Sequence, residues 1–465
     1  MFDSPIFFDK SFYNHIIIIN SNRKYFFRKN INFIMKKTLI QSTVILIVGG
    51  LLTKVMGMIS KIIMARSLGT EGLGLYMLIL PTFTLLISLA QFGLPIAFAK
   101  LISEEKRNTK KLFFSLLPIL IISNGLLMII TVLIAPKIAS LLHHPNLSKS
   151  ILAMAFVIPF TSVSSICRSY FFGKNRMFPH VLSNVFENSI RLFLIYFGIP
   201  IFMNQGLSIV ITYLVLSNII SEILSTVILL LFIPKGISIT KKDFSINKTY
   251  AKDGLRISIP NTLSRFMGSI AYFFEPIILT STLHFVGYSS LYITKEYGII
   301  TGYVLPLLTL PSFFALAISQ ALLPLISKAS TTQDSKKISK GILLGVSLCL
   351  FIGVPITIFF LVFSKESLYL LYHTTEGEKY LRFLAPFFLL QYIQYPLSSS
   401  LDALGKSKYN LVSTLIGTIT RTLLLLTLSF FKIGIWGLLI GTSLNIVFVT
   451  IYQIYIITKK TEYSV

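Results

Sequence analysis

Long apolar runs follow one another along the chain from about residue 38 onward, separated by short polar connections. A bilayer core of roughly 30 Å needs about 20 apolar residues per helix, and windows of about 19 residues locate such segments. The pattern predicts twelve membrane-spanning helices. Their ranges are 39–65, 73–99, 112–135, 151–171, 178–203, 207–233, 254–283, 297–326, 339–363, 380–403, 409–430 and 434–457. The connections leave no room for a soluble domain of any size.

The composition agrees with this pattern. Of the 465 residues, 54% are hydrophobic and 13% are charged, whereas a soluble domain carries about 25% charged residues. The sequence therefore predicts an all-α polytopic membrane protein. A net charge of +25 would suggest nucleic acid as the partner of a soluble protein. Here we expect it to reflect loops that face anionic lipid, with no nucleic-acid partner.

The basic residues of the connections predict the orientation. Lysine and arginine concentrate near both termini and in five connections, at 100–111, 168–176, 235–256, 328–340 and 406–408. Basic loops stay on the cytoplasmic side of a membrane. Both termini are therefore predicted to be cytoplasmic, which agrees with an even number of spans, and the predicted location is the bacterial cytoplasmic membrane.

An internal repeat with an offset of about 230 residues divides the chain into halves. Four pairs share this offset in the same order: residues 91–95 (QFGLP) with 320–324 (QALLP), 173–176 (GKNR) with 405–408 (GKSK), Arg191 with Arg421, and Gly206 with Gly434. Two halves of six helices have the same orientation. They are therefore related by a pseudo-two-fold axis along the membrane normal, with the expected site between them.

These observations predict five segments. Residues 1–37 are rich in Phe, Ile, Asn and Lys without a helical period. We interpret them as a cytoplasmic tail, either an over-extended gene start or a disordered segment, with an amphipathic anchor as the alternative. The remaining segments are an N-lobe with helices 1–6 at 38–233, a cytoplasmic linker at 234–253, a C-lobe with helices 7–12 at 254–457 and a cytoplasmic tail at 458–465.

Basic side chains inside the predicted spans are candidates for substrate binding. A charge at bilayer depth costs at least about 2.5–3.5 kcal/mol, so it must face protein or water. Lys54 and Lys61 lie seven residues apart in the first span, on one helix face. Arg265 has no acidic residue three or four positions away and is the first candidate for binding an anion, ahead of the two lysines. Arg191 and Arg421 complete the set.

Three acidic residues lie in the predicted spans as well. Glu187 and Arg191 are four residues apart and can form an ion pair on one helix face. Glu222 could neutralise either lysine of the first span, and Glu275 lies in the seventh span. We treat the three glutamates as coupling or structural acids.

Other sequence features bear on ATP hydrolysis, metal binding, disulfide formation and helix bending. The sequence holds no phosphate-binding glycine loop of the Walker type, so we expect no ATP hydrolysis. His143 and His144 lie in an outer connection and are predicted to be surface polar residues. The cysteines, Cys167 and Cys349, are far apart, so we expect neither a disulfide nor a metal site. Two prolines in the span 297–326 predict a bent helix that acts as a gate.

Several motifs resemble those of stage V sporulation protein B-like transporters. They are residues 51–57 (LLTKVMG), 65–76 (ARSLGTEGLGLY), 259–265 (IPNTLSR), 272–276 (YFFEP), 302–306 (GYVLP) and 404–408 (LGKSK). That group belongs to the multidrug/oligosaccharidyl-lipid/polysaccharide export superfamily, together with lipid II flippases and polysaccharide flippases. The resemblance implies two six-helix lobes around a central cavity and alternating access. It also implies that Arg265 and the two lysines of the first span contact the headgroup of a lipid-linked cargo.

The first functional hypothesis is a flippase, not an enzyme, for an undecaprenyl-diphosphate-linked sugar of peptidoglycan or polysaccharide synthesis. It would work as a monomer among membrane lipids without a cofactor, driven by the membrane potential or by coupling to H⁺ or Na⁺. The alternative is a cation-coupled multidrug antiporter of the same superfamily, which would use one of the three glutamates. A scaffold for a cell-wall or sporulation complex is a third hypothesis, for which the sequence offers no partner surface.

Overall fold

The computed structural model describes residues 10–104, 108–233 and 247–460, with side chains from Val44 to Lys459 except Ser264. Helices and short connections account for these residues, and no β-strand occurs among them. The helices α1 to α15 are, in order, Lys10–Ala90, Leu94–Ser103, Thr109–Leu141, Ser148–Gly173, Met177–Met203, Leu207–Leu231, Lys248–Phe285, Ser290–Gly298, Leu305–Thr309, Ser312–Thr331, Ser335–Val362, Ser364–Tyr372, Glu378–Ala403, Ser407–Ser429 and Trp436–Lys460. The predicted all-α fold is confirmed.

Ten helices in the described ranges are long and apolar enough to cross a membrane. One of these segments, Val44–Ser103, contains the first two predicted spans. The tenth predicted span coincides with α13, which has 26 residues but is not among the ten. The predicted spans therefore each have a helical counterpart.

The first helix begins earlier than the sequence suggested. The backbone is helical from Lys10, within the segment interpreted as an over-extended gene start or a disordered tail, and α1 continues for 81 residues. No glycine or proline occurs between Lys10 and Val48. Helix formation is therefore not interrupted there, because these two residue types are the strongest helix breakers. Residues 1–9, much of the predicted linker (234–246) and the end of the predicted C-terminal tail (461–465) lie outside the described residues.

Gly69 divides α1 into two halves that correspond to the first two predicted spans. Its backbone has φ 66° and ψ −175°, which is not helical. Only glycine reaches such a conformation at little cost, because it lacks a Cβ. The chain therefore bends at Gly69 and returns across the bundle without a separate loop.

The eighth predicted span is a broken helix. It consists of the end of α8, a π-helical segment at Ile299–Val304, the short α9, and α10. Pro306 and Pro311 each lack the N–H that an uninterrupted helix would use, and α10 starts directly after Pro311. The bend expected from the two prolines is present, and its role as a gate stays a prediction.

Helices of each half pack mainly on one another. In the first half α1 packs on α5, and both α4 and α5 pack on α6; in the second half α10 and α11 pack on α13, and α14 packs on α15. This arrangement gives the two lobes. The C-terminal ends of α2, α4, α10 and α13 lie at one face of the bundle, which we call the basic face because Lys100, Lys174, Lys328 and Lys406 lie there. The ends of α3, α5, α7 and α14 lie at the opposite face.

The two lobes are in close contact near the opposite face. Gly74 of α1 and Gly298 of α8 face each other so tightly that a Cβ on either would overlap the partner backbone. On the other side of the interface, Lys54 of α1 reaches Ser312 of α10 by a single side-chain hydrogen bond. The lobes are therefore in backbone contact near the opposite face, whereas α1 and α10 are joined on the other side through the side chains of Lys54 and Ser312.

Candidate functional site

A cavity of about 610 Å³ opens at the basic face between α2, α4, α5 and α7. Three cations, Lys100, Arg168 and Arg265, contribute to its lining, and none of the described residues that line it is acidic. The lining also includes Gln91, Ser165 and Asn184, which supply uncharged hydrogen-bonding groups. The cavity therefore offers a positive, hydrogen-bonding environment, which suits an anion that also carries hydroxyl or amide groups.

Arg265 reaches this cavity from α7, in the C-lobe. Its Nη1 donates a hydrogen bond of 2.7 Å to Oε1 of Gln91, and Nε2 of Gln91 donates to Oγ of Ser165 at 3.0 Å. Among described residues Arg265 forms no ion pair, and its side chain is exposed. The charge that the sequence singled out is therefore held in place by a neutral amide and remains free to meet an anion.

The break between α1 and α2 puts Gln91 in position for this contact. Phe92 and Gly93 both have positive φ, 46° and 58°, and α1 ends at Ala90, directly before Gln91. A Cβ at Gly93 would lie 2.5 Å from the carbonyl oxygen of Ser258 in α7. Glycine at this position thus lets α7 approach the break and brings Arg265 to Gln91.

Arg168 is a functional candidate that the sequence reasoning missed. It was assigned to the connection 168–176, but α4 continues to Gly173 and buries most of the arginine side chain. Its Nη2 pairs with Glu187, with Oε2 of Glu222 at 2.9 Å and with Oγ of Ser225 at 3.0 Å. The apolar run Tyr-Phe-Phe at residues 170–172 was the signal that the helix extends past it.

This arginine changes the predicted pairing of the acids. Glu187 accepts from Arg191 at 2.6 Å, as the i,i+4 spacing predicted, and from Arg168 as well. Glu222 is bound to Arg168, so the expectation that it could neutralise a lysine of the first span is wrong. The lysines are on α1, whereas Arg168 on α4 is the cation that packing brings to α6.

The C-lobe contains an ion pair between two of the predicted site residues. Nη2 of Arg421 in α14 lies 2.8 Å from Oε2 of Glu275 in α7. Arg421 also lines a smaller cavity of about 210 Å³ between α9, α10, α13, α14 and α15, which includes Ser312 and Asn445. Arg421 is therefore already neutralised, which makes it a weaker anion ligand than Arg265.

Lys54 and Lys61 of α1 have no acidic partner among described residues. Nζ of Lys54 donates to Oγ of Ser312 at 3.0 Å, and Lys61 forms neither a hydrogen bond nor an ion pair with a described residue. The five predicted cations therefore do not share one cavity. Arg265 lines the large cavity, Arg421 the small one with Lys54 at its margin through Ser312, and Arg191 belongs to the ion-pair cluster of the N-lobe.

At the opposite face the lobes are held together by polar contacts. Nε and Nη2 of Arg66 donate to the carbonyl oxygens of Leu371 and Leu370 at 2.7 and 2.8 Å. These carbonyls are among the last in α12, which has no further turn to bond them. The arginine of the N-lobe thereby caps a helix of the C-lobe.

A histidine contact also joins the two lobes at the opposite face. The rings of His143 and His284 stack with centroids 4.2 Å apart and 10° between their planes. His144 Nε2 lies 2.6 Å from Oγ1 of Thr294. His143 and His144, predicted to be surface polar residues, are both half-exposed, and they also connect the α3–α4 turn to α7 and α8.

We expect this histidine contact to weaken in acid. Burial lowers the pKa of His143 and His144, and the neighbouring histidine lowers each pKa further; Glu71 and a hydrogen bond with the Ser290 backbone act against this at His144. A lowered pKa means that the histidines bind protons more readily when the contact is broken than when it is formed. The contact is therefore at full strength above a pH of about 6.5, and it weakens as the pH falls from there through the lowered pKa values.

Spin labels can test this expectation. With the native cysteines replaced by serine, labels at positions 146 and 285 report the distance between the two lobes at the opposite face. We expect a broader and longer distance distribution at pH 5 than at pH 7.5, and a smaller change in His143→Phe, which keeps the stacked ring without its charge. An equal response in both proteins would contradict the role of His143.

Comparisons with known proteins agree with the two-lobed fold. The profile of the family described as polysaccharide biosynthesis protein matches residues 39–330, and the MatE profile matches residues 300–427. Stage V sporulation protein B of Bacillus subtilis (strain 168) is 32% identical over 444 residues, which is 92% of this chain and 85% of the relative. The lipid II flippase MurJ of the same organism is 23% identical, over 92% of this chain and 84% of the relative.

A solved structure shows the same fold. The inward-facing structure of a multidrug resistance MATE family transporter of the MOP superfamily superimposes with a TM-score of 0.69 at 18% identity, covering 88% of this chain and 95% of that one. Together with the apolar helices, these relatives make the protein a multi-pass bacterial membrane transporter. The resemblance read from the motifs is confirmed, and the chain belongs to the polysaccharide biosynthesis protein family.

Proposed function

We propose that the protein is a flippase that carries a lipid-linked sugar diphosphate of the undecaprenyl type across the cytoplasmic membrane. The observation that carries this proposal is Arg265, a cation that has no acidic partner in the described part of the chain and lines a cavity without a described acidic residue. The names of two relatives, stage V sporulation protein B and lipid II flippase MurJ, agree with a cargo from cell-wall synthesis.

The chemistry of the cavity favours an anionic cargo. A guanidinium binds phosphate oxygens through two parallel hydrogen bonds, and a lysine adds a point charge. Arg265 and Lys100 supply one of each, while Gln91, Ser165 and Asn184 can bond sugar hydroxyls. Holding cations inside a membrane protein is costly. A bound diphosphate offsets that cost, whereas a cationic drug would add to it.

The proposed orientation follows from the basic face, which the positive-inside rule assigns to the cytoplasm. In that orientation the large cavity is open to the cytoplasm, and the contacts of Arg66 and the histidines close the outside. The lobes would then rock to expose the cavity outside while the lipid tail stays in the bilayer. Moving one charge through 100 mV is worth about 2.3 kcal/mol, so the membrane potential or an H⁺ or Na⁺ gradient can drive the cycle.

A vesicle assay tests the proposal. The purified protein is reconstituted with a fluorescent undecaprenyl-diphosphate disaccharide, and a membrane-impermeant quencher reports how much of the probe changes leaflet. We expect transfer that depends on the protein and on an imposed potential or ion gradient. A fluorescent phosphatidylglycerol in the same vesicles should not be transferred faster than in protein-free ones. Absence of diphosphate transfer under every gradient would contradict the proposal.

The multidrug antiporter remains the second candidate, because the MatE profile matches part of the C-lobe and the MATE fold is shared. Antiport of this kind needs an acid that exchanges a proton or sodium ion. Glu187, Glu222 and Glu275 are each bound by an arginine. The same vesicles can be loaded with a cationic dye. Gradient-driven dye export that is lost in Glu222→Gln would favour the antiporter over the flippase.

A further inference from the structure

The smaller cavity of the C-lobe, of about 210 Å³, is lined on the side of α13 by three aromatic rings. Phe388, Tyr392 and Tyr395 follow one another at spacings of four and three residues, which puts the rings on one helix face. The hydroxyl of Tyr392 donates to the carbonyl oxygen of Leu308 at 2.6 Å, so its ring is fixed in place. One wall of this space, which we call the C-lobe cavity, is therefore an apolar, aromatic surface.

Three polar side chains that line the C-lobe cavity have hydrogen-bonding groups without a partner among described residues. Nε of Arg421 in α14 is a donor and Oδ1 of Asn445 in α15 is an acceptor, and both atoms are buried. The amide of Gln391 in α13 forms no hydrogen bond with a described residue either. Because buried polar groups in folded proteins are nearly always hydrogen-bonded, the two buried atoms indicate that a bound molecule completes the site.

Glycine at position 417 sets the place of Asn445. A Cβ at Gly417 of α14 would lie 2.2 Å from Oδ1 of Asn445, so the missing side chain leaves room for this amide against the helix. Arg421 follows Gly417 by four residues and lies on the same face of α14. An unpaired acceptor and an unpaired donor are thus brought to one helix face.

Charge and size restrict what the C-lobe cavity can bind. Arg421 lies 2.8 Å from Glu275 and is thereby neutralised, and none of the described residues that line the cavity is acidic. A cation finds no carboxylate in this lining, and an anion would compete with Glu275 for Arg421, so the site suits a neutral polar group. Pockets for drug-sized ligands hold about 300–1,000 Å³. A cavity of about 210 Å³ therefore suits a single ring.

We propose that the C-lobe cavity binds one neutral sugar ring of the lipid-linked cargo. This inference rests on the proposed function and names where the sugar of that cargo is held. A sugar ring has C–H groups on its faces and hydroxyl or acetamido groups at its edge, which donate and accept hydrogen bonds. The faces match the aromatic wall, and the edge matches the donor of Arg421, the acceptor of Asn445 and the amide of Gln391.

The C-lobe cavity lies farther from the basic face than Arg265 of the large cavity. Arg421 binds Glu275, which follows Arg265 by ten residues in α7, or about 15 Å toward the opposite face. Ser312 accepts the hydrogen bond of Lys54 from the N-lobe and also lines the C-lobe cavity, so the cavity borders the interface between the lobes. A headgroup that enters between the lobes from the basic face therefore reaches this cavity with its sugar, ahead of its diphosphate.

Binding measurements on the full chain in lipid nanodiscs test the proposal with two radiolabelled probes, undecaprenyl diphosphate and undecaprenyl-diphosphate N-acetylglucosamine. We expect the second probe, which adds only the sugar, to bind about tenfold more tightly, the effect of one hydrogen bond to a charged group. The variant Gln391→Leu/Asn445→Leu keeps the Arg421–Glu275 pair and should bind both probes equally, with unchanged affinity for undecaprenyl diphosphate. Thr414→Val, on α14 but outside the cavity lining, should bind like wild type.

A thermal melt separates binding from folding. Because an unpaired buried acceptor lowers stability, the double variant should melt no lower than wild type. Gln391→Leu alone changes a half-exposed residue and should reduce the preference for the sugar-bearing probe in part. A folded variant that keeps the full preference overturns the proposal. Equal affinity of wild type for the two probes also overturns it, and is the result expected if the unpaired groups bind only water.

The transfer assay distinguishes failure of this site from failure of the proposed function. Transfer of the disaccharide diphosphate without a preference for the sugar-bearing probe overturns the C-lobe site and leaves the flippase. A preference that is lost in the double variant, in a protein that transfers nothing, supports the site and overturns the proposed function. Binding of neither probe overturns both.

Discussion

Arg265→Ala is expected to reduce transfer of a lipid-linked sugar diphosphate by about ten- to a hundredfold while leaving the melting temperature nearly unchanged. A hydrogen bond to a charged group is worth about 1.5–3 kcal/mol, and every 1.4 kcal/mol is about tenfold in binding. The loss of fold stability should be small, because the only bond that Arg265 makes to a described side chain is with Gln91. The quenching assay and a thermal melt in detergent give the two measurements.

Two variants act as controls for this prediction. Arg256→Ala removes an exposed arginine from the same helix, nine residues earlier and outside the cavity lining, and should transfer normally. Arg265→Lys keeps the charge without the two-pronged geometry and should fall between wild type and Arg265→Ala. Normal transfer by a folded Arg265→Ala protein would remove Arg265 from the proposed site.

Arg168→Leu is expected to destabilise the N-lobe by about 3–5 kcal/mol, the usual effect of removing one partner from a buried ion pair. The side chains of Glu187 and Glu222 are each only 8% exposed. Without Arg168, Glu222 has no cationic partner among described residues, and Glu187 keeps only Arg191. We expect a melting temperature several degrees lower in detergent, together with a lower yield of folded protein.

The double variant Arg168→Leu/Glu222→Gln separates lost charge balance from lost contacts. It leaves the Glu187–Arg191 pair intact and removes one charge of each sign, so it should recover much of the stability lost in Arg168→Leu. Arg176→Leu, at an exposed site just beyond the same helix, should have little effect. If the double variant melts no higher than Arg168→Leu, uncompensated charge is not the cause of the loss.

Features that depend on the spacing of residues along one helix were readable from the sequence. The apolar runs predicted the spans, and the four-residue spacing predicted the pair of Glu187 with Arg191. Both follow from the geometry of a single helix, which fixes the neighbours of a residue wherever the helix packs.

Contacts between different helices could not be predicted from spacing along the sequence. Arg421 and Glu275 lie on α14 and α7, far apart in sequence, and only packing brings them together. The repeat predicted that Arg191 and Arg421 occupy equivalent helices. Arg191 nevertheless pairs with Glu187 of its own helix, whereas Arg421 pairs with Glu275 of a different helix. The bond of Arg66 to the end of α12 and the stack of His143 on His284 depend in the same way on how the lobes meet.

The bend of α1 at Gly69 has a geometric consequence for the transport cycle. It lies at the face where the lobes touch backbone to backbone, so it can act as a fulcrum for the arm of α1 that carries Lys54 and Lys61. An arm that crosses a bilayer core of roughly 30 Å displaces its far end by about 5 Å for each 10° of rotation. A small torsional adjustment at Gly69 would therefore become a displacement of about 5 Å at the basic face.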